Sequence, residues 1–182
     1  MNNIVPLIFS FIALRLLAPM IFASDSSDYY VSVSCNATLY PDLCFKSLSK
    51  YAASIKTEPK ALANTALTLA FETTRLTLSE LRKIGGGGES VGECIEVVGD
   101  SVYNLARSVR RMEGEETGSG LAAQMSDVET WVSAALTDDD TCMEDFCRRC
   151  GARTRAAVRE MVFKVARLAS IALTFIDRYA SG

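Results

Sequence analysis

Four stretches of the chain space their apolar residues four and three apart, the interval that gathers side chains on one face of an α-helix. Pro59 to Ile84 runs without an internal Gly or Pro, and Pro59 stands where a first helical turn tolerates it. Leu62, Ala66, Leu69, Thr73 and Leu76 form its expected inward stripe. From Glu89 to Met112 the spacing passes through Cys94, Val98, Val102, Leu105, Val109 and Met112. A third segment, Leu121 to Leu136, turns Leu121, Met125, Val128, Val132 and Ala135 inward. Thr154 to Tyr179 does the same with Val158, Val162, Val165, Ala169, Ala172, Ile176 and Tyr179. No stretch of useful length alternates with strand period. The breaks are Gly85–Gly88, Glu113–Gly120 and the stretch after Leu136, where Asp138 to Asp140 read as turn and N-cap residues. Such short connections make sequential helices antiparallel. The expectation is an all-α fold, an antiparallel up-down-up-down four-helix bundle.

The pattern ahead of the bundle differs. Ile4 to Ala23 is apolar except at Ser10 and Arg15, Ile4 to Leu14 has the length of a signal-peptide apolar region, and Ala23-Ser24 offers a small-residue cleavage point. A membrane anchor is the weaker reading. Arg15 near its middle would cost about 2.5–3.5 kcal/mol on insertion scales, and Pro6 and Pro19 interrupt the helix. Residues 1–23 are therefore expected to be a cleaved signal peptide, 24–58 an N-terminal α-hairpin and 59–182 the bundle, with hairpin and bundle in one domain. Tyr29 to Ala53 reads as two short helical pieces around Asn36 to Pro41, with Tyr29, Tyr30, Leu39, Tyr40 and Phe45 as packing surface.

Composition narrows the chemistry. The 182 residues include no histidine, which removes Ser-His-Asp and Cys-His nucleophilic machinery, His-ligated zinc and imidazole proton shuttles. Lys plus Arg is 19 against 22 Asp plus Glu, a net charge of −3, too balanced for a nucleic-acid binder. The six cysteines, Cys35, Cys44, Cys94, Cys142, Cys147 and Cys150, are an even set bound for an oxidising compartment, so bridges are expected among 15 pairings that spacing alone leaves open. Asn36-Ala37-Thr38 is an N-glycosylation acceptor. Charge is uneven: Glu113 to Asp145 holds ten acids and no base, and Arg148 to Arg178 holds eight bases against Glu160 and Asp177. Most of this reads as solvated helix surface. Asp138 to Asp140 lack the order and closing Glu of a calcium loop, so no metal is expected.

The motifs carry a family resemblance. The run from Cys35 through Asn36, Tyr40 and Pro41 to Cys44 resembles the opening motif of the plant invertase and pectin methylesterase inhibitor family. Cys94-Ile95-Glu96 followed by Asp100-Ser101-Val102 resembles its second motif, and Trp131 to Thr137 with Asp140-Thr141-Cys142 its third. The resemblance implies a disulfide-stapled bundle with an N-terminal α-hairpin and the bridges Cys35–Cys44 and Cys94–Cys142. The second pairing agrees with the helix pattern, in which Cys94 opens the second bundle helix and Cys142 follows the third. It also implies a secreted protein of the cell wall with no cofactor and no catalysis.

Two target classes occur in that family. Invertase inhibitors carry Pro-Lys-Phe between the third and fourth bundle helices, whereas Met143 to Ala152 here contains neither proline nor lysine. Members acting on pectin methylesterase carry an acidic second helix, which Glu96 and Asp100 match while Tyr103 replaces the last acid. The resemblance thus implies an inhibitor of pectin methylesterase that covers the substrate groove in a 1:1 complex, with Glu96, Asp100 and Thr141 on the contact face. Acid invertase is the alternative target. Weak contact of the basic fourth helix with anionic pectin, through Arg153 and Arg155, is a further expectation. A similar domain forms the pro-region of some pectin methylesterases, and with Gly182 last this chain is expected to stand alone.

One stretch departs from the family pattern. Cys147-Arg148-Arg149-Cys150 adds two cysteines, for which a local third disulfide or free thiols are expected. With Cys142 they have ferredoxin spacing, yet no fourth cysteine follows. A zinc site would need a ligand taken from a bridge. A thiol redox protein rests on this pair alone, and a thioredoxin-type Cys-x-x-Cys belongs to a strand-helix fold. A secreted lipid-carrying bundle would have to open on a membrane, which a Cys94–Cys142 bridge opposes, so no membrane partner is expected.

Overall fold

The computed structural model describes residues 26–84, 89–114, 117–145 and 151–182. The expected signal peptide, the Gly85–Gly88 break and the Cys147/Cys150 pair lie outside the described residues. Helix α1 covers residues 26–36, followed by α2 (Pro41–Leu48), a 3-10 turn (Ser49–Tyr51) and α3 (Ala52–Ile55). The long helices are α4 (Pro59–Ile84), α5 (Glu89–Met112), α6 (Ser119–Asp145) and α7 (Ala152–Ser181). Among the described residues there is no strand. Proline opens both α2 and α4, where its missing N–H costs nothing and its fixed φ suits the first turn. Lys56, at φ 55°, turns the chain out of α3, and its amide closes on Ala52 O at 2.8 Å. Basic side chains close two helices, Arg82 and Lys83 on α4 and Arg110 and Arg111 on α5, where the macrodipole favours them.

Each long helix packs on its neighbours in the chain, and α7 closes the bundle against α4. α2 touches α7 and α3 touches α4, so the hairpin covers one end. The larger apolar cluster lies at that end and joins Val31, Cys35, Cys44, Leu48 and Ile55 to Leu67, Met112, Met125 and Phe175. A smaller cluster of Leu78, Leu81, Val91, Cys94, Val98, Cys142, Val158, Val162 and Val165 fills the other end. Cys35 bonds Cys44 and Cys94 bonds Cys142, as the resemblance implies. Closing the loops they span is worth about 2–3 and about 4 kcal/mol in the chain-entropy account.

The inward stripes of α5, α6 and α7 follow the sequence pattern, with Val102, Val109, Leu121 and Tyr179 only part-buried. Three local expectations are corrected. In α4 Leu62 and Ala66 are buried as expected, together with Ala63 and Leu67, but further along Ala70, Thr74, Thr77, Leu78 and Leu81 are buried in place of Leu69, Thr73 and Leu76, and Leu76 is 58% exposed. The small alanines let neighbouring helices approach, and Thr74 satisfies its hydroxyl on Ala70 O at 2.8 Å, so a Thr position can face the core. Helix α6 does not stop near Leu136. It continues through Asp138, Asp139 and Asp140 to Asp145, so these acids are helical rather than turn residues, and Cys142 lies inside the helix. The 3-4-3-4-3 run of Met125, Val128, Val132, Ala135, Asp139 and Cys142 is buried throughout. In the hairpin, Tyr30 and Tyr40 pack against the core, whereas Tyr29, Leu39 and Phe45 are exposed. The bridge and Val31, Leu48, Ala52 and Ile55 do the packing expected of those aromatics.

Candidate partner-binding face

Helix α5 is two-sided. Its core face is Val91, Cys94, Val98, Ser101, Leu105, Ser108 and Met112, spaced three and four apart and buried throughout. At about 100° per residue, Glu96, Asp100, Tyr103 and Arg107 fall within a sector of about 60° on the opposite side. Glu96, Asp100 and Tyr103 are exposed, Tyr103 at 60%, and Arg107 is half-buried. The stripe runs from carboxylates to a ring and then a cation along about 16 Å of helix axis.

Helix α6 builds the second wall. Arg107 lays its guanidinium over the Trp131 ring, 3.9 Å from the centroid, with the Tyr103 ring at 5.5 Å. Cation–π contacts of this kind hold a long side chain in one place. Asn104 Nδ2 donates to Asp138 Oδ2 at 3.1 Å, and Arg111 Nε donates to Asp127 Oδ2 at 3.2 Å. Burial raises the Asp138 carboxyl above its usual value; Asn104 opposes the rise and the Asp100 charge adds to it. Asp100 and Asp138 thus act on each other as like charges across the α5–α6 seam.

Thr141 is exposed, and its hydroxyl donates to Thr137 O at 2.8 Å. The Cys94–Cys142 bridge ties the residue after Thr141 to the residue two before Glu96. Glu96, Asp100 and Thr141 therefore all lie toward the disulfide end of the bundle. Asn36 is exposed at the end of α1, while the Thr38 hydroxyl is buried and donates to Cys35 O at 2.8 Å. Arg153 and Arg155 are exposed in the first turn of α7.

Behind the face lies Asp139, fully buried, with neither carboxylate oxygen completing a hydrogen bond. Loss of hydration pushes its carboxyl up to about 8; Ser101 on α5 works against this, and the charges of Asp138 and Asp140 add to it. The sequence carried its position, since Asp139 continues the spacing of Val132 and Ala135 to Cys142, but three successive acids read as a turn. Tyr103 and Arg107, one helical turn apart, and Trp131, off the core register of α6, were equally visible. What joins them is the α5–α6 register, which no local pattern specifies.

Among the described residues no His, Cys, Asp and Glu group could hold a metal, and no helix is long and apolar enough to cross a membrane. The face offers recognition chemistry: carboxylates, a ring and a fixed guanidinium.

Known proteins place the chain in a family. A sequence profile described as plant invertase/pectin methylesterase inhibitor matches residues 29–175. The chain is 41% identical over 169 residues to pectinesterase inhibitor 10 of Arabidopsis thaliana, covering 88% of this chain and 54% of that one. It is 35% identical over 165 residues to a 21 kDa protein of Daucus carota, covering 85% and 86%. A crystal structure of a mutant form of an Arabidopsis pectin methylesterase inhibitor superposes with TM-score 0.63 at 24% identity, over 79% of this chain and 92% of that one, which shows a shared fold. By the profile match and the identity over most of its length, this chain belongs to the plant invertase/pectin methylesterase inhibitor family.

Proposed function

We propose that the protein inhibits pectin methylesterase by binding 1:1 across the enzyme's pectin groove and excluding the polymer. The observation that carries this reading is the exposed α5 stripe, with Glu96 and Asp100 one turn apart, in a chain 41% identical to a protein named pectinesterase inhibitor 10. The inhibitor performs no chemistry of its own and needs no cofactor; occlusion requires only a rigid surface, which the two bridges help to maintain. Thr141 adds a polar contact at the bridged end. Asp138, raised by burial and by Asp100, takes up a proton earlier than an ordinary carboxyl as the pH falls, which eases repulsion at the seam.

The protein acts after export, with residues 1–23 removed, residues 24–58 and 59–182 forming one inhibitor unit in the cell wall, and a glycan on exposed Asn36. Arg153 and Arg155 provide a weak contact with pectin. Cys147 and Cys150 form a local third bridge or remain thiols, which non-reducing peptide mapping distinguishes. Acid invertase is the less favoured target, because Met143 to Ala152 lacks the Pro-Lys-Phe segment that invertase inhibitors carry.

The test is to titrate the oxidised protein against one purified pectin methylesterase and one acid invertase. Loss of esterase activity to an end point at one equivalent, with invertase unaffected, is the expected result. Inhibition of invertase alone overturns the reading.

A further inference from the structure

Among the described residues, Tyr103 and Leu76 are the large hydrophobic side chains that the four long helices leave well exposed. They differ in setting. Leu76 stands alone on α4, whereas Tyr103 is backed by a guanidinium that is itself laid on an indole. Tyr103 also continues the line of Glu96 and Asp100 along α5. We propose that Tyr103, positioned by Arg107 on Trp131, is the aromatic anchor of the enzyme-facing surface and the residue that sets this inhibitor's affinity for pectin methylesterase. This inference rests on the inhibitor reading above and assigns the centre of its contact face.

The occupant follows from the chemistry of the stripe. A groove that accepts pectin must hold a polymer of sugar rings bearing carboxylates or their esters. Glu96 and Asp100 present carboxylates about 6 Å apart along the helix axis, and Tyr103 presents a ring about 5 Å further on. The stripe therefore offers that groove carboxylates of the kind its substrate bears and, in line with them, a flat ring face suited to stacking. Tyr, Trp and Arg dominate the energetically important positions of protein interfaces because they bury much area for little lost side-chain freedom. Here part of that freedom is already gone. Arg107 is stacked on α6 before any partner arrives, so the Tyr103 ring meets the enzyme on a prepared backing. Stacking involves no proton, so the contribution of Tyr103 does not depend on pH in the way a carboxylate contact can.

The test measures inhibition of one pectin methylesterase at pH 5 and pH 7 by wild type, Tyr103→Ala, Tyr103→Phe, Arg107→Met and the Tyr103→Ala/Arg107→Met double variant. Helical circular dichroism and the count of free thiols establish that each variant is folded and bridged. Tyr103→Ala is expected to weaken affinity about thirtyfold, the size of an interface hot spot, and equally at both pH values. Tyr103→Phe keeps the ring and stays within about threefold. Arg107→Met weakens binding less than Tyr103→Ala and adds little to it in the double variant, because a positioning residue has nothing left to position. If wild type inhibits and folded Tyr103→Ala inhibits equally well, the anchor assignment is wrong while the inhibitor reading stands. If wild type fails to inhibit any pectin methylesterase, both fall together. If Tyr103→Ala loses retention on de-esterified pectin but keeps full inhibition, the ring serves the polysaccharide and the anchor assignment is again overturned.

Discussion

Helix α6 carries a polar residue into the core at each end of the bundle, and the two are treated differently: Gln124 engages its amide nitrogen while its oxygen goes unpartnered, and Asp139 engages neither oxygen. At the hairpin end, buried Gln124 donates from its amide nitrogen to Arg111 O and to Gly114 O, the latter at 3.0 Å, closing the C-terminal end of α5. Lys60 Nζ, from the start of α4, reaches the same Gly114 oxygen at 3.2 Å. At the disulfide end, Asp139 is as deeply buried, beside the smaller apolar cluster, and its oxygens complete no hydrogen bond. A buried amide that caps a helix is a fixed structural part. A buried carboxyl stripped of its hydration, which the nearby Ser101 hydroxyl only partly offsets, holds its proton and makes that end of the bundle sensitive to pH.

The largest effect expected from this contrast is on stability against pH. The folded Asp139 carboxyl sits near 8 and the unfolded one near 3.8. The folded state therefore binds the extra proton between those values, and this group's contribution to stability is greatest in acid and falls as pH rises toward 8. From pH 5 to pH 8 the loss approaches about 4 kcal/mol for this one group. In Asp139→Asn, chemical denaturation at the two pH values should show that slope removed. An unchanged slope would mean that other groups carry it.

The bridges give the next comparison. Cys94→Ser/Cys142→Ser should cost about 4 kcal/mol and Cys35→Ser/Cys44→Ser about 2–3 kcal/mol, since the first closes the longer loop. Denaturation midpoints rank them. A larger loss at the hairpin would show that its bridge does more than shorten the unfolded chain.

Gln124→Ala should cost about 1–2 kcal/mol by taking one of two donors from each carbonyl, leaving Gly114 N on Arg111 O and Lys60 Nζ on Gly114 O, with no dependence on pH between 5 and 8. That flat profile is what separates Gln124 from Asp139. The smallest effect belongs to α4. Leu76→Glu should change stability by less than about 0.5 kcal/mol, while Leu78→Ala should cost about 2–5 kcal/mol. A large cost at Leu76 would restore the register expected from its leucines.

These cases also mark what a sequence can yield. Helix number and order, and three of the four inward stripes, were legible because valines, isoleucines and leucines recur at helical spacing. α4 was read correctly at Leu62 and Ala66 and misphased beyond them, because Ala70, Thr74 and Thr77 are buried there beside Leu78 and Leu81, and burial of such small or polar residues depends on how closely a neighbour approaches. The end of α6 was hidden because acids favour turns and helix starts, and only the partner helix decides that Asp139 is enclosed. On the candidate face, Glu96 and Asp100 were readable as solvent-facing from α5 alone. The Arg107–Trp131 stack was not, because it joins two helices.

Occlusion makes one kinetic demand that other modes of inhibition do not. Initial rates of a pectin methylesterase, measured across pectin concentrations at several fixed inhibitor concentrations, test it directly. A protein lying in the substrate groove raises KM and leaves kcat unchanged, and saturating pectin restores full activity. A fall in kcat that no concentration of pectin reverses would place the inhibitor outside the groove and contradict the account.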